Sequence, residues 1–168
     1  GFVRPTFEEY PNRYGKESVV FYPENADFRY TADDLIHFFS EHPVKNLVIV
    51  NPDNPTGNYL DHEEVQKLLD WTRKESMTFL YDESFVEFAD EENQTLIESE
   101  CLNAYQNLIV VKSISKSYGV PGLRLGVLAS GNRELIAWLK KDVAIWNINS
   151  LAEYYMQIEE KYKKDYIA

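Results

Sequence analysis

Short runs that are apolar on both faces alternate with helical patterns along this chain, and this alternation most constrains its fold. Such runs occur at residues 46–50, 78–81 and 108–111, and they are typical of strands buried in a parallel sheet. Thr31 can cap a helix before the first run, Asp61 with Glu64 forms a capping pair for a helix between the first and second runs, and a weaker helical pattern at residues 95–105 precedes the third. The alternation predicts an α/β fold, a three-layer α/β/α sandwich around a mostly parallel sheet.

Polar side chains stand where these strands should end. Asn54 follows the first run, Asp82 ends the second and Lys116 follows the third. Because α/β sheets bind ligands at the carboxyl ends of their strands, we expect all three at one edge of the sheet. Each taken alone also has an ordinary interpretation, as a turn amide, a helix-capping acid or a surface lysine.

The stretch around Lys116 indicates a chemistry. Ser113 and Ser115 precede the lysine, and Arg124 follows it by eight residues. An amine suits a carbonyl group, whereas hydroxyls and a guanidinium suit a phosphate. Pyridoxal 5′-phosphate (PLP) carries both groups, so we predict a PLP site in which Lys116 forms a Schiff base.

Asp82 and Asn54 add two further predicted contacts with this cofactor. A carboxylate at Asp82 would face the pyridine nitrogen and keep it protonated, which makes the ring an electron sink. Asn54 is expected to hydrogen-bond the phenolic oxygen of the ring.

Composition argues against other classes of function. The net charge of −11 and the pI near 4.7 disfavour nucleic acid as a partner. The single cysteine, Cys101, allows no intramolecular disulfide and suggests a reducing, cytoplasmic location. The histidines lack metal-ligand spacing, and no apolar run approaches the ~20 residues of a membrane span. We therefore predict neither a bound metal nor a membrane partner.

Three motifs give the chain a resemblance to a known family: N-P-x-N-P-T-G at residues 51–57, D-E at residues 82–83, and S-x-S-K followed by an arginine. The chain resembles fold-type I PLP enzymes of the aminotransferase class I/II group, especially histidinol-phosphate aminotransferases and threonine-phosphate decarboxylases. The resemblance implies a homodimer with a small amino acid or amine as substrate. It also implies that Phe7 stacks on the PLP ring and that Asn149 faces the substrate. A core position for Phe7 and a helix cap for Asn149 are the alternatives.

The chain departs from this family in two ways. Phe85 follows Asp82 by three residues, where the family often has a tyrosine that contacts the cofactor, and phenylalanine cannot donate a hydrogen bond to the phenolic oxygen. The resemblance implies that Phe85 also contacts the cofactor. Threonine-phosphate decarboxylases tolerate phenylalanine there. The chain is also much shorter than family members. We therefore expect residues 1–168 to be a single partial domain, the PLP-binding large domain, without its N-terminal segment and its C-terminal small domain.

These observations predict an enzyme. The leading hypothesis is a PLP-dependent aminotransferase that moves an amino group between an amino acid or phosphorylated amine and a 2-oxo acid, with Lys116 as the general base. The alternative on the same fold is a PLP-dependent decarboxylase of a phosphorylated amino acid. A third hypothesis is a large-domain fragment that is catalytically inactive by itself.

Overall fold

A mixed sheet organises the computed structural model, which describes residues 1–14, 17–89 and 95–167. Its six strands are β1 (Phe2–Val3), β2 (Val20–Phe21), β3 (Asn46–Val50), β4 (Thr78–Asp82), β5 (Leu108–Lys112) and β6 (Val127–Ala129). They lie in the order β2-β1-β3-β4-β5-β6. All neighbouring pairs are parallel except β5 and β6, which are antiparallel. The predicted α/β class with a mostly parallel sheet is confirmed.

Helices connect the strands. They are α1 (Glu9–Tyr14), α2 (Ala32–Glu41), α3 (His62–Lys74), α4 (Ser99–Ala104), α5 (Ile114–Ser117), α6 (Arg133–Leu139) and α7 (Ser150–Ile167). Short 3-10 turns lie at Val86–Phe88 and Pro121–Leu123. The predicted cap at Thr31 and the predicted capping pair of Asp61 with Glu64 both form, and the structure adds that Thr31 exchanges hydrogen bonds with Asp34. Within the described ranges, no helix is both long enough and apolar enough to cross a membrane.

The strand β3 is buried on both faces, as its continuous apolar sequence predicts. Leu47 and Ile49 face one side and belong to the main core, where Phe39 of α2 is fully buried. Val48 and Val50 alternate to the other side and are 4% exposed each. Parallel strands need this cover on both faces, because helical crossovers place helices against the sheet.

The register of the central strands brings three loops to one edge of the sheet. Val50 pairs with Asp82, and Asp82 pairs with Val111, so the three strands end at the same level. The backbone N–H of Asn51 donates to the Asp82 carbonyl at 2.9 Å, which extends this alignment into the first loop. The loops that follow β3, β4 and β5 carry the predicted site residues.

Candidate active site

Asp82 lies at the end of β4 and is 7% exposed. Its Oδ1 accepts a hydrogen bond from the Ser84 backbone N–H at 2.9 Å. Its Oδ2 accepts one from the Tyr10 hydroxyl at 2.5 Å. The carboxylate is therefore held from both oxygens while it borders an open cleft.

That cleft has a volume of about 440 Å³. The residues that line it include Asp82, Tyr10, Ser113 and Arg124. An acid, a hydroxyl and a guanidinium thus meet around one open space, as the sequence predicts for a ring nitrogen and a phosphate.

Lys116 lies in α5 beside two aromatic rings. Its Nζ is 4.2 Å from the ring centroid of Phe85 and 5.3 Å from that of Phe7. Both distances fall within the range of cation–π attraction. Phe7 is 44% exposed, so its ring is available to a ligand and the alternative of a core phenylalanine is wrong. The structure brings these three predicted residues together.

Arg124 stands in the left-handed backbone region, with φ of 55°. This conformation is uncommon for a residue with a side chain and marks a tight change of chain direction between the Pro121–Leu123 turn and β6. One guanidinium nitrogen donates to the Pro121 carbonyl at 3.2 Å. A guanidinium has five N–H donors, so most of its capacity can serve an anion in the cleft.

Ser115 is placed differently from its predicted contact with the phosphate. It is 3% exposed, and its hydroxyl donates to the Leu125 carbonyl at 3.2 Å and accepts from the Leu125 N–H at 3.1 Å. Because a hydroxyl has a single proton, Ser115 cannot also donate to a phosphate in this arrangement. It ties α5 to the segment that carries Arg124, and Ser113 is the serine that lines the cleft.

The asparagines of the N-P-x-N-P-T-G motif differ in their surroundings. Asn51 is 2% exposed. Its side-chain amide donates to the Leu60 carbonyl at 2.8 Å and to the Tyr81 hydroxyl at 2.9 Å, and its side-chain oxygen accepts from the Leu60 N–H at 2.9 Å. Asn54 is only half-buried in the following turn. The predicted contact between Asn54 and the cofactor stays a prediction.

Asn149 has the alternative role considered for it. Its side-chain oxygen accepts from the Ala152 N–H at 2.9 Å, which caps α7, and its amide donates to the Leu123 carbonyl at 2.9 Å. Both contacts are structural, and the contact of Asn149 with a substrate stays a prediction.

A buried ion pair lies beside the site. Glu83 is fully buried, accepts from the Leu96 N–H at 2.8 Å, and lies 3.7 Å from the Nζ of Lys112. The same ammonium also pairs with Glu87. Burial raises the pKa of the Glu83 carboxyl. Lys112 borders the cleft, but its ammonium is engaged by these two acids, which leaves Lys116 as the better candidate for the cofactor.

Two residues of the site escaped the sequence analysis. Tyr10 contacts Asp82 across 72 positions of sequence, and no local pattern indicates such a pair. The second is Ser84, whose hydroxyl accepts a hydrogen bond from the Ser113 backbone N–H at 2.9 Å and so links the ends of β4 and β5. Its spacing from Asp82 is that of an Asx turn, which was the available signal.

Comparison with known proteins identifies the family. The family model for aminotransferase class I and II matches residues 3–157. The chain belongs to this family. The predicted resemblance is therefore confirmed, and so is PLP as the cofactor at the level of the family.

Individual relatives include both reaction types. L-serine phosphate decarboxylase of Sulfurospirillum multivorans is 35% identical over 96% of this chain and 43% of its own length. Histidinol-phosphate aminotransferase of Thermoanaerobacter sp. is 31% identical over 76% of this chain and 34% of its own. The crystal structure of L-threonine-O-3-phosphate decarboxylase from Porphyromonas gingivalis superposes with a TM-score of 0.76 at 26% identity, covering 98% of this chain and 47% of that one. The chain thus spans less than half the length of these relatives.

Proposed function

We propose that the full-length protein is a PLP-dependent decarboxylase of a phosphorylated amino acid. The observation that carries this proposal is the 35% identity to a serine phosphate decarboxylase across 96% of the chain. The similarity in fold to a threonine phosphate decarboxylase, across 98% of the chain, supports the same reaction type.

Phe85 adds support from the site itself. Its ring lies against the Lys116 ammonium, at the position where the family often carries a tyrosine. A phenylalanine cannot donate a hydrogen bond to the phenolic oxygen of the cofactor. The threonine-phosphate decarboxylases that the chain resembles tolerate this replacement, so Phe85 favours decarboxylation over plain transamination.

The residues present fit PLP. Asp82 would face the ring nitrogen, Phe7 the ring, and Asn54 the phenolic oxygen, while Ser113 and Arg124 would hold the phosphate. When bound, PLP supplies an electron-accepting ring that stabilises negative charge at the substrate α-carbon. The chain contributes an acid, an aromatic surface and an anion site, within and beside a cleft of about 440 Å³.

The chain's own groups have separable tasks. Asp82 holds a proton at the ring nitrogen through its carboxylate, which Ser84 and Tyr10 keep in place. Arg124 orients the phosphate through its free N–H groups. Lys116 would hold the cofactor through Nζ, and once the amino group of the substrate replaces it there, the released amine could accept and return a proton as a general acid–base.

Aminotransfer is the second candidate, as first predicted from the motifs. It is favoured by the 31% identity to a histidinol-phosphate aminotransferase over 76% of the chain. The same residues would hold the cofactor in either reaction. Which bond of the substrate breaks depends on how the substrate is oriented, and residues outside this chain can contribute to that.

Product analysis separates these functions. The full-length protein, loaded with PLP, is incubated with phosphoserine or phosphothreonine, and carbon dioxide and the amine are measured with and without a 2-oxo acid. Decarboxylation releases both products in equal amounts and needs no 2-oxo acid. Transfer of the amino group to the 2-oxo acid without carbon dioxide would refute the decarboxylase proposal. Residues 1–168 by themselves, assayed in the same way, test the third hypothesis, which expects no product from them; Lys116→Ala in the full-length protein is the negative control.

A further inference from the structure

We propose that Tyr10 is a positioning residue that orients the Asp82 carboxylate towards the cofactor ring and thereby sets the affinity for PLP. This inference rests on the proposed contact between Asp82 and the ring nitrogen. It does not depend on whether the reaction is decarboxylation or aminotransfer.

Within the described part of the chain, the structure gives the Asp82 carboxylate a donor on each oxygen. The Tyr10 hydroxyl donates to Oδ2 at 2.5 Å, and the Ser84 backbone N–H donates to Oδ1 at 2.9 Å. A distance of about 2.5–2.7 Å is typical of a strong hydrogen bond from a hydroxyl to a charged carboxylate. The two oxygens offer about four acceptor positions in all, so each keeps capacity for a donor in the cleft.

Removal of the Tyr10 hydroxyl would free the carboxylate to turn. The terminal torsion of an aspartate side chain has a broad, shallow preference, so the side chain alone does not fix the plane of the carboxylate. Donors on both oxygens fix that plane, whereas the Ser84 N–H alone leaves rotation about the Oδ1 contact. A carboxylate that turns would align less often with a ring N–H.

Tyr10 also connects Asp82 with the aromatic ring predicted to stack on the cofactor. The rings of Tyr10 and Phe7 meet edge to face, with centroids 6.1 Å apart. The Tyr10 N–H donates to the Phe7 carbonyl at 3.2 Å. Phe7 in turn lies near the Lys116 ammonium. The Tyr10 side chain thus contacts both Asp82 and Phe7, the two residues that we expect to touch the cofactor ring.

The test is Tyr10→Phe in the full-length protein, which removes the hydroxyl and keeps the ring and its contact with Phe7. Apoprotein is titrated with PLP and the dissociation constant is measured from absorbance. We expect affinity to fall at least about tenfold, equivalent to about 1.4 kcal/mol, because a hydrogen bond to a charged group is lost. Tyr22→Phe, at a tyrosine that is 60% exposed and outside the site, is the matched control and should leave affinity unchanged.

A double-mutant cycle separates positioning from general support of the fold. In an Asp82→Asn background, where the charged acceptor is gone, Tyr10→Phe should change affinity by less than about twofold, since the two residues act through one contact. The visible spectrum of bound PLP should change in the Tyr10→Phe and Asp82→Asn proteins and stay unchanged in Tyr22→Phe. The melting temperature of the apoproteins is measured alongside.

The outcomes are distinct. Unchanged affinity in Tyr10→Phe, or an equal loss in both backgrounds, would overturn the inference while leaving the proposed function intact. A cofactor-free Tyr10→Phe protein that is insoluble or melts well below the wild type would overturn it too, because the hydroxyl would then serve the fold. Wild-type protein that binds no PLP would overturn the proposed function, and this inference with it.

Discussion

Substitutions at the two asparagines of the N-P-x-N-P-T-G motif should have different effects, one on the stability of the fold and the other on cofactor binding. Asn51 is 2% exposed and its side chain makes three hydrogen bonds, two with Leu60 and one with Tyr81. Leu60 and Tyr81 are each 1% exposed, so water cannot replace the lost partner. Asn51→Ala therefore removes three buried hydrogen bonds at once.

The expected magnitude follows from those contacts. A buried hydrogen bond contributes about 1 kcal/mol net, so the free energy of unfolding should fall by about 3 kcal/mol in Asn51→Ala. Asn54 is half-buried in the turn, and Asn54→Ala should change the free energy of unfolding by at most about 0.5 kcal/mol. Asn54→Ala should instead weaken PLP binding, because it removes the predicted donor to the phenolic oxygen.

Urea denaturation of the cofactor-free proteins, followed by tryptophan fluorescence, measures the first effect. With a urea dependence of about 1–3 kcal/mol/M, the midpoint of Asn51→Ala should move by about 1 M or more. Titration with PLP measures the second effect. Equal midpoints for the two variants would contradict the structural assignment of Asn51, and unchanged PLP affinity in Asn54→Ala would contradict the assignment of Asn54.

Three further predictions concern neighbouring residues. Lys116→Ala should abolish the covalent attachment of PLP that borohydride fixes, detected by peptide mass spectrometry, whereas Lys112→Ala should retain it; attachment in the Lys116 variant would identify another lysine. Phe85→Tyr should lower the pH midpoint of the visible absorbance of bound PLP, because a hydroxyl there stabilises the ionised phenolic oxygen; an unchanged midpoint would place residue 85 away from that oxygen. Burial raises the pKa of Glu83 above its ordinary value of 4.5, so this group favours the folded state below that pH and loses the contribution as the pH rises through the folded-state pKa. The free energy of unfolding of wild type, relative to Glu83→Gln, should therefore fall as the pH rises above about 4.5 in urea titrations, and a pH-independent difference would be evidence against this account.

Part of the fold was predictable because its signals are local. The apolar run at residues 46–50 is strand β3, and the polar pairs beginning at Thr31 and Asp61 form capping boxes. Each of these patterns acts within a few residues of itself. The strand β1 (Phe2–Val3) was not predicted, since two residues are too short to show a periodicity.

The approach of Asp82 and Ser113 at one edge of the sheet was predictable for a topological reason, whereas the placing of Asn54 and Lys116 around the same cleft stays a prediction. Parallel strands end at a common edge, so residues that follow buried strands must approach each other once the strands pair. Asp82 and Ser113 both line the cleft, and Lys116 lies beside the aromatic rings of Phe7 and Phe85. Strand order and residue type are both encoded along the chain, and together they indicated the cofactor chemistry.

Individual hydrogen-bond partners were decided by the tertiary structure. The hydroxyl of Ser115 faces the backbone of Leu125, and Asn149 caps α7, although both residue types suit a ligand equally well. Tyr10 reaches Asp82 from a segment 72 residues away. A hydroxyl or amide bonds whichever group the packing of distant loops brings within about 3 Å, and sequence spacing carries no information on that distance. The sequence by itself therefore determined the class of fold, the family and the chemical inventory of the site, while only the packed chain decided which of those groups face the cleft and which hold the loops around it.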